Sequence, residues 1–172
     1  ARYIAEAKLA GPAVIGHSMG GIVAMMVAAR FPARVGKVMA VDILPAPAAG
    51  FGFQSSGLKP WADALFGALT ASPEGRQTLE RMIGGYGGSA AGSDAQVVAR
   101  ATHELATTDL TPELPKIRAP FSVVYAVPGD VQAAAAIDRR YAAAYGNAKA
   151  RLRRIPGSGH MIMYDQPARL AA

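Results

Sequence analysis

Cysteine is absent from all 172 residues, which excludes a disulfide framework and any thiolate metal site. No G-x-G-x-x-G and no P-loop pattern occurs, so neither of the common glycine-rich phosphate cradles is present. Aromatic residues make up only 7% of the chain and are not interleaved with the basic ones. With no recognised nucleic-acid motif either, the net charge of +6 reads as scattered surface Lys and Arg, not as a nucleic-acid footprint. Arg151 and Arg153 fall on one face of a short strand, as on a solvated sheet edge. Long apolar runs are missing too. The longest apolar region, Ala13 to Ala29, is interrupted by His17, Ser18, Gly16, Gly20 and Gly21, which argues against a membrane span. No signal peptide is visible. These absences predict a cytoplasmic protein with no metal and no organic cofactor.

What is present is a five-residue stretch, Gly16-His17-Ser18-Met19-Gly20, of the form G-x-S-x-G, with Gly21 directly behind it. The apolar run Pro12-Ala13-Val14-Ile15 leads in, and an apolar helical pattern from Ile22 to Arg30 leads out. Strand, sharp turn and helix are the setting in which such a serine serves as a nucleophile. A serine hydroxyl needs a base to take its proton. A tight turn lifts Ser18 clear of the backbone so that a base can reach it, and small residues at Gly16 and Gly20 are expected to let the turn close. The same turn aims the backbone N–H of Met19, at the start of the helix, toward a developing oxyanion.

Three histidines are available as the base. His17 sits beside the nucleophile with its side chain directed elsewhere and reads as a structural or pocket-lining residue. His103 lies in the helical pattern Asp94 to Leu105 and reads as a surface or cap residue. His160 follows the alternating strand Arg151 to Ile155 and the loop Pro156-Gly157-Ser158-Gly159, and is the expected base. The carboxylate that fixes the histidine tautomer has two candidates. Asp130 is favoured: it follows the strand Phe121 to Val127 and lies in the loop Pro128-Gly129-Asp130. Asp42 is the rival, at the end of the strand Lys37 to Val41.

The length suits one domain with a substantial core. Residues 1–45 and 111–172 alternate strand and helix. Residues 46–110 differ: Gly50 to Gly57 reads as a loop-rich link, Ser72-Pro73-Glu74 as a helix start, and Ser93-Asp94-Ala95-Gln96 as a capping box. This segment is expected to be a helical lid, with Phe51, Phe53, Trp61, Leu65, Phe66, Met82 and Tyr86 as candidates to line an apolar pocket alongside His17. Gln132 to Tyr145 reads as a helix with Ile137, Tyr141 and Tyr145 on one side.

These segments together resemble the α/β-hydrolase fold family. Gly16 to Gly21 matches its commonest elbow. Ile117-Arg118-Ala119-Pro120 before Phe121-Ser122-Val123-Val124-Tyr125 resembles the entry to its acid-bearing strand. Ile155-Pro156-Gly157-Ser158-Gly159-His160 resembles the segment ending in its catalytic histidine, and Asp165-Gln166-Pro167 the opening of its final helix. The resemblance implies an α/β fold with a mostly parallel sheet flanked by helices. It also implies a serine hydrolase acting on an ester or related carbonyl compound through an acyl-enzyme, with Ser18, Asp130 and His160 as its triad and a small molecule as its substrate. The family's HG segment and first strands have no counterpart, so the match is to a partial copy of the fold. That supports a second expectation: an inactive fragment or ligand-binding remnant without a complete oxyanion hole, whose unpaired sheet edge would favour self-association.

Overall fold

The computed structural model describes residues 1–51, 55–85 and 94–172, and the side chains within them apart from 50, 51, 55–58, 61, 79 and 82–85. Four parallel strands, β1 (Ala13–His17), β2 (Lys37–Val41), β3 (Phe121–Val127) and β4 (Ala150–Pro156), form one sheet in the order β1-β2-β3-β4. Parallel neighbours require crossovers. The helix α2 (Met19–Arg30) connects β1 to β2, and α6 (Val131–Ala144) connects β3 to β4. A short helix, α1 (Arg2–Glu6), precedes the sheet, and α7 (Ile162–Asp165) and α8 (Pro167–Ala171) follow it.

The strand pattern follows from burial. In β3 every residue is at least half-buried and five of the seven are fully buried. This is why Phe121-Ser122-Val123-Val124-Tyr125-Ala126-Val127 reads as an almost unbroken apolar run rather than an alternation. Val41, Val124, Ile155 and Ile162 form one buried cluster of the core, with Met39, Ala126 and Leu170 packed against them. Strand β4, on the edge, alternates instead, with Arg151 and Arg153 exposed. Helix α2 buries Gly21, Ile22, Ala24, Met25, Ala28 and Ala29. Although its sequence is apolar nearly all round, Val23 remains 53% exposed, because a helix lying on a sheet meets it along one stripe only.

Residues 1–45 and 110–172 make one compact unit and residues 46–109 another. The core closes behind the insertion through a hydrogen bond from Leu110 N–H to the Pro45 carbonyl, 3.0 Å. The described residues of the inserted unit include three α-helices, α3 (Ser55–Ala71), α4 (Pro73–Gly85) and α5 (Ala95–Thr107). Helix α3 already begins at Ser55, inside the stretch whose Ser and Gly content reads as loop. The apolar spacing Leu58, Trp61, Leu65 continues a helical period through it. The Ser72 hydroxyl accepts the Gly75 N–H at 3.0 Å, as a cap before a first-turn proline should. At α5 the cap is Asp94, whose Oδ1 accepts the N–H groups of Gln96 and Val97 at 2.9 and 3.1 Å. Ser93, the expected capping-box residue, lies outside the described residues.

Candidate active site

At the carboxyl ends of β1 and β2, two strained residues face each other across the ladder. His17 pairs with Val41, and the next residues are Ser18 and Asp42. Three described non-glycine residues have positive φ, and these are two of them, Ser18 at 54° and Asp42 at 50°. Side chains rarely tolerate that region, so such conformations persist where surrounding structure imposes them and concentrate at functional sites. The constraint is visible here: Ser18 N–H bonds the Val41 carbonyl at 2.9 Å and Asp42 N–H bonds the Val124 carbonyl at 2.8 Å. Asp is among the residues that best accept such a backbone.

Ser18 caps α2 with a ψ of −126°. The helix therefore starts immediately beyond it, and Met19 N–H belongs to the first turn, whose N–H groups have no intrahelical acceptor. Gly16 is what lets the turn close: a side chain there would overlap the Gly20 carbonyl and the Gly21 amide. Gly21 is also confined, since a Cβ would sit 2.6 Å from the Ile43 side chain. Gly20 differs from expectation, because among the described residues nothing lies within 4 Å of where its Cβ would be. The backbone of Gly20, not its missing side chain, is what the turn uses.

His160 is brought to this end of the sheet by the loop after β4. Gly157, at φ 66°, and Ser158 both donate their N–H groups to the Val127 carbonyl at 2.9 and 3.3 Å, and Gly159 N–H bonds the Asp165 carboxylate at 2.8 Å. The His160 Nδ1 lies 2.7 Å from Asp42 Oδ2. The other oxygen of Asp42 is engaged as well: Oδ1 accepts the Ala126 N–H at 2.8 Å and the Tyr141 hydroxyl at 3.3 Å. The Asp42 side chain is only 14% exposed, whereas His160 is 51% exposed. A half-buried, multiply bonded carboxylate thus grips one nitrogen of a histidine whose ring reaches toward solvent.

Asp130, the carboxylate favoured by the sequence, is placed differently. It is the N-cap of α6, and its Oδ1 accepts the Ala133 N–H at 2.7 Å. The partner of His160 is the rival, Asp42. His103 belongs to the inserted unit, where its Nε2 lies 2.6 Å from Asp63 Oδ1 and its ring 5.0 Å from Phe66. Hydrogen bonds from Lys59 and His103 hold the Asp63 carboxyl below its ordinary range. Of the aromatic pocket candidates, Phe53 and Tyr86 lie outside the described residues, as do the side chains of Phe51 and Trp61.

Tyr141 and Tyr145 are residues the sequence reading placed on a helix face without a role. Tyr145 OH donates to the Ile43 carbonyl at 2.7 Å, and Tyr141 stacks on Tyr125 at 4.1 Å. Burial, reinforced for Tyr141 by the charge of Asp42, raises both phenols far above their ordinary range. Both hydroxyls therefore stay protonated and donating. Their i, i+4 spacing on the helix that follows β3 was the legible signal. Among the described residues no cluster of His, Asp or Glu could hold a metal ion, and no helix is long and apolar enough to cross a membrane.

Comparison with known proteins agrees with this architecture. The model of the alpha/beta hydrolase family matches residues 1–172. A Haemophilus influenzae protein provisionally named an esterase/lipase is 39% identical over 70 residues, covering 41% of this chain and 23% of that protein. Among solved structures, MenH from S. aureus superposes with a TM-score of 0.64 at 17% identity, over 98% of this chain and 68% of its own. MGS-M2, an alpha/beta hydrolase enzyme from a Medee basin deep-sea metagenome library, superposes at 0.60 and 17% identity, over 99% of this chain and 66% of its own. The chain thus spans about a quarter of that curated relative and about two thirds of MGS-M2. The chain belongs to the alpha/beta hydrolase family.

Proposed function

We propose that this chain carries the nucleophile, base and acid of a serine hydrolase acting on a carboxylic ester or related carbonyl compound, with Ser18, His160 and Asp42 in those roles. The observation that supports it most is the 2.7 Å contact of Asp42 with His160 Nδ1 at the strand end where Ser18 is held at positive φ. Ligands of open α/β sheets bind at the carboxyl ends of the strands, and this is that end. The name of the Haemophilus influenzae relative favours an ester as substrate.

In this reading Ser18 Oγ attacks the carbonyl carbon while its proton passes to His160 Nε2. Asp42 keeps the other ring proton on Nδ1 and stabilises the imidazolium that forms. The carbonyl oxygen becomes an oxyanion facing the Met19 N–H at the positive end of α2. Collapse expels the alcohol, which takes the proton from His160 and leaves the acyl group on Ser18. Water then attacks the acyl carbon, losing its proton to the same nitrogen, and the carboxylic acid departs from a regenerated Ser18. The inserted unit, 46–109, enters the chain four residues after Asp42 and is assigned the part of a substrate-selecting lid.

The test is turnover of a short-chain chromogenic ester by the full chain. Ser18→Ala and His160→Ala should each lower kcat by at least about 10⁴-fold with thermal stability retained. Wild-type turnover in Ser18→Ala would overturn the reading.

A further inference from the structure

The loop that carries His160 is exposed, yet the nitrogen that must meet Ser18 requires a fixed ring. The contacts above hold the root of the loop and one nitrogen of the ring, but they leave the backbone at position 160 to be oriented. That is done from the elbow itself. His17 Nε2 lies 2.8 Å from the His160 carbonyl, and the two rings sit with centroids 4.5 Å apart at 41°. A carbonyl oxygen only accepts, so His17 Nε2 carries a hydrogen and donates it. That nitrogen is then occupied, which excludes it as a rival base.

We infer that His17 is a positioning residue: its Nε2–H, bonded to the His160 carbonyl, fixes the base loop against the residue that immediately precedes the nucleophile. This rests on the roles proposed above for Ser18, His160 and Asp42. One side chain spans the two segments whose separation the proton transfer depends on. His17 is rooted in β1, whose backbone is paired with β2, so the tether ends on the rigid part of the sheet. Sub-ångström displacement of a catalytic group is enough to slow a reaction many-fold.

The readout is the far-downfield Nδ1 proton of His160, observed by NMR on the full chain labelled with ¹⁵N-histidine, together with kcat on the chromogenic ester. Asp42→Asn assigns the resonance by removing it. His17→Leu, which fills similar space without a donor, should broaden or remove it and lower kcat by about tenfold, as loss of one orienting hydrogen bond would, with KM and thermal midpoint little changed. His17→Gln restores a donor and should keep the resonance and most of the rate. A His17→Leu protein with the wild-type resonance and wild-type kcat overturns the inference, as does a His17→Gln protein as impaired as His17→Leu. If the wild-type chain shows no such resonance, or Asp42→Asn leaves it unchanged, the His160–Asp42 pairing itself falls, and the role of His17 with it.

Discussion

Replacing Asp42 with Asn separates the charge of the acid from its shape. Asn fits the backbone, since it accepts φ near 50° as readily as Asp. Its Oδ1 can still take the Ala126 N–H and the Tyr141 hydroxyl, which are 2.8 and 3.3 Å from that oxygen in Asp42. The amide NH₂ then occupies the position 2.7 Å from His160 Nδ1. Flipping the amide would set two donors against each other at Ala126, so this orientation is enforced. Facing a donor, His160 Nδ1 must accept, which moves its single proton to Nε2 and leaves nothing to receive the proton of Ser18. The same exchange in a serine protease lowers kcat by about 10⁴-fold, or about 5 kcal/mol of barrier. We expect a loss of that order in Asp42→Asn, measured as kcat on the chromogenic ester, with the thermal midpoint little changed. Asp130 is the control. Asn caps a helix as well as Asp does, so Asp130→Asn should leave kcat intact. Asp130→Ala should cost about 1 kcal/mol, or about 2–4 °C in Tm, without a catalytic effect. Asp42→Asn within tenfold of wild type, or a loss of orders of magnitude in Asp130→Asn, would refute the reasoning.

The elbow glycines should divide sharply. Gly16→Ala forces a Cβ into the Gly20 carbonyl and should leave little folded protein by circular dichroism, whereas Gly20→Ala meets nothing and should raise Tm by a degree or more, because Ala outranks Gly inside a helix by about 0.5–1 kcal/mol. A pH dependence follows from the pair that ties α2 to the segment 111–116: the Arg30 guanidinium bonds both oxygens of Glu113 at 2.8 and 2.9 Å and holds its carboxyl below the ordinary range. A depressed carboxyl contributes stability above its unfolded pKa and loses it as pH falls through the folded value. Urea unfolding of Glu113→Gln should therefore show a deficit of about 0.5–1 kcal/mol at pH 7 that shrinks to nothing under acid conditions.

The sheet and the strand-turn-helix around Ser18 were readable because their signals are local. Lys37–Val41 and Phe121–Val127 are β runs whose ends the structure reproduces to the residue. Which carboxylate meets His160 was not a local question. Asp42 and Asp130 both follow a strand, and no spacing rule says which strand end the loop after β4 will reach. One signal was available: Asp130 directly precedes the helical run Val131 to Ala144, an N-cap position that already has a use for the carboxylate. Asp42 has no helix after it, and its oxygens are satisfied by Ala126, Tyr141 and His160, each distant in the chain. The tether from His17 escaped for the same reason, since 143 residues separate it from its acceptor. Gly20 misled in the other direction, because a motif glycine implies crowding where the structure has room.

The central claim is that Ser18 is the nucleophile activated by His160. Its most direct test is to react the full chain with a fluorophosphonate and map the adduct by peptide mass spectrometry. The account predicts one phosphonyl group on Ser18, absent from Ser18→Ala and strongly slowed in His160→Ala. Folded wild-type protein that stays unlabelled, or that carries the label on another residue, would contradict it.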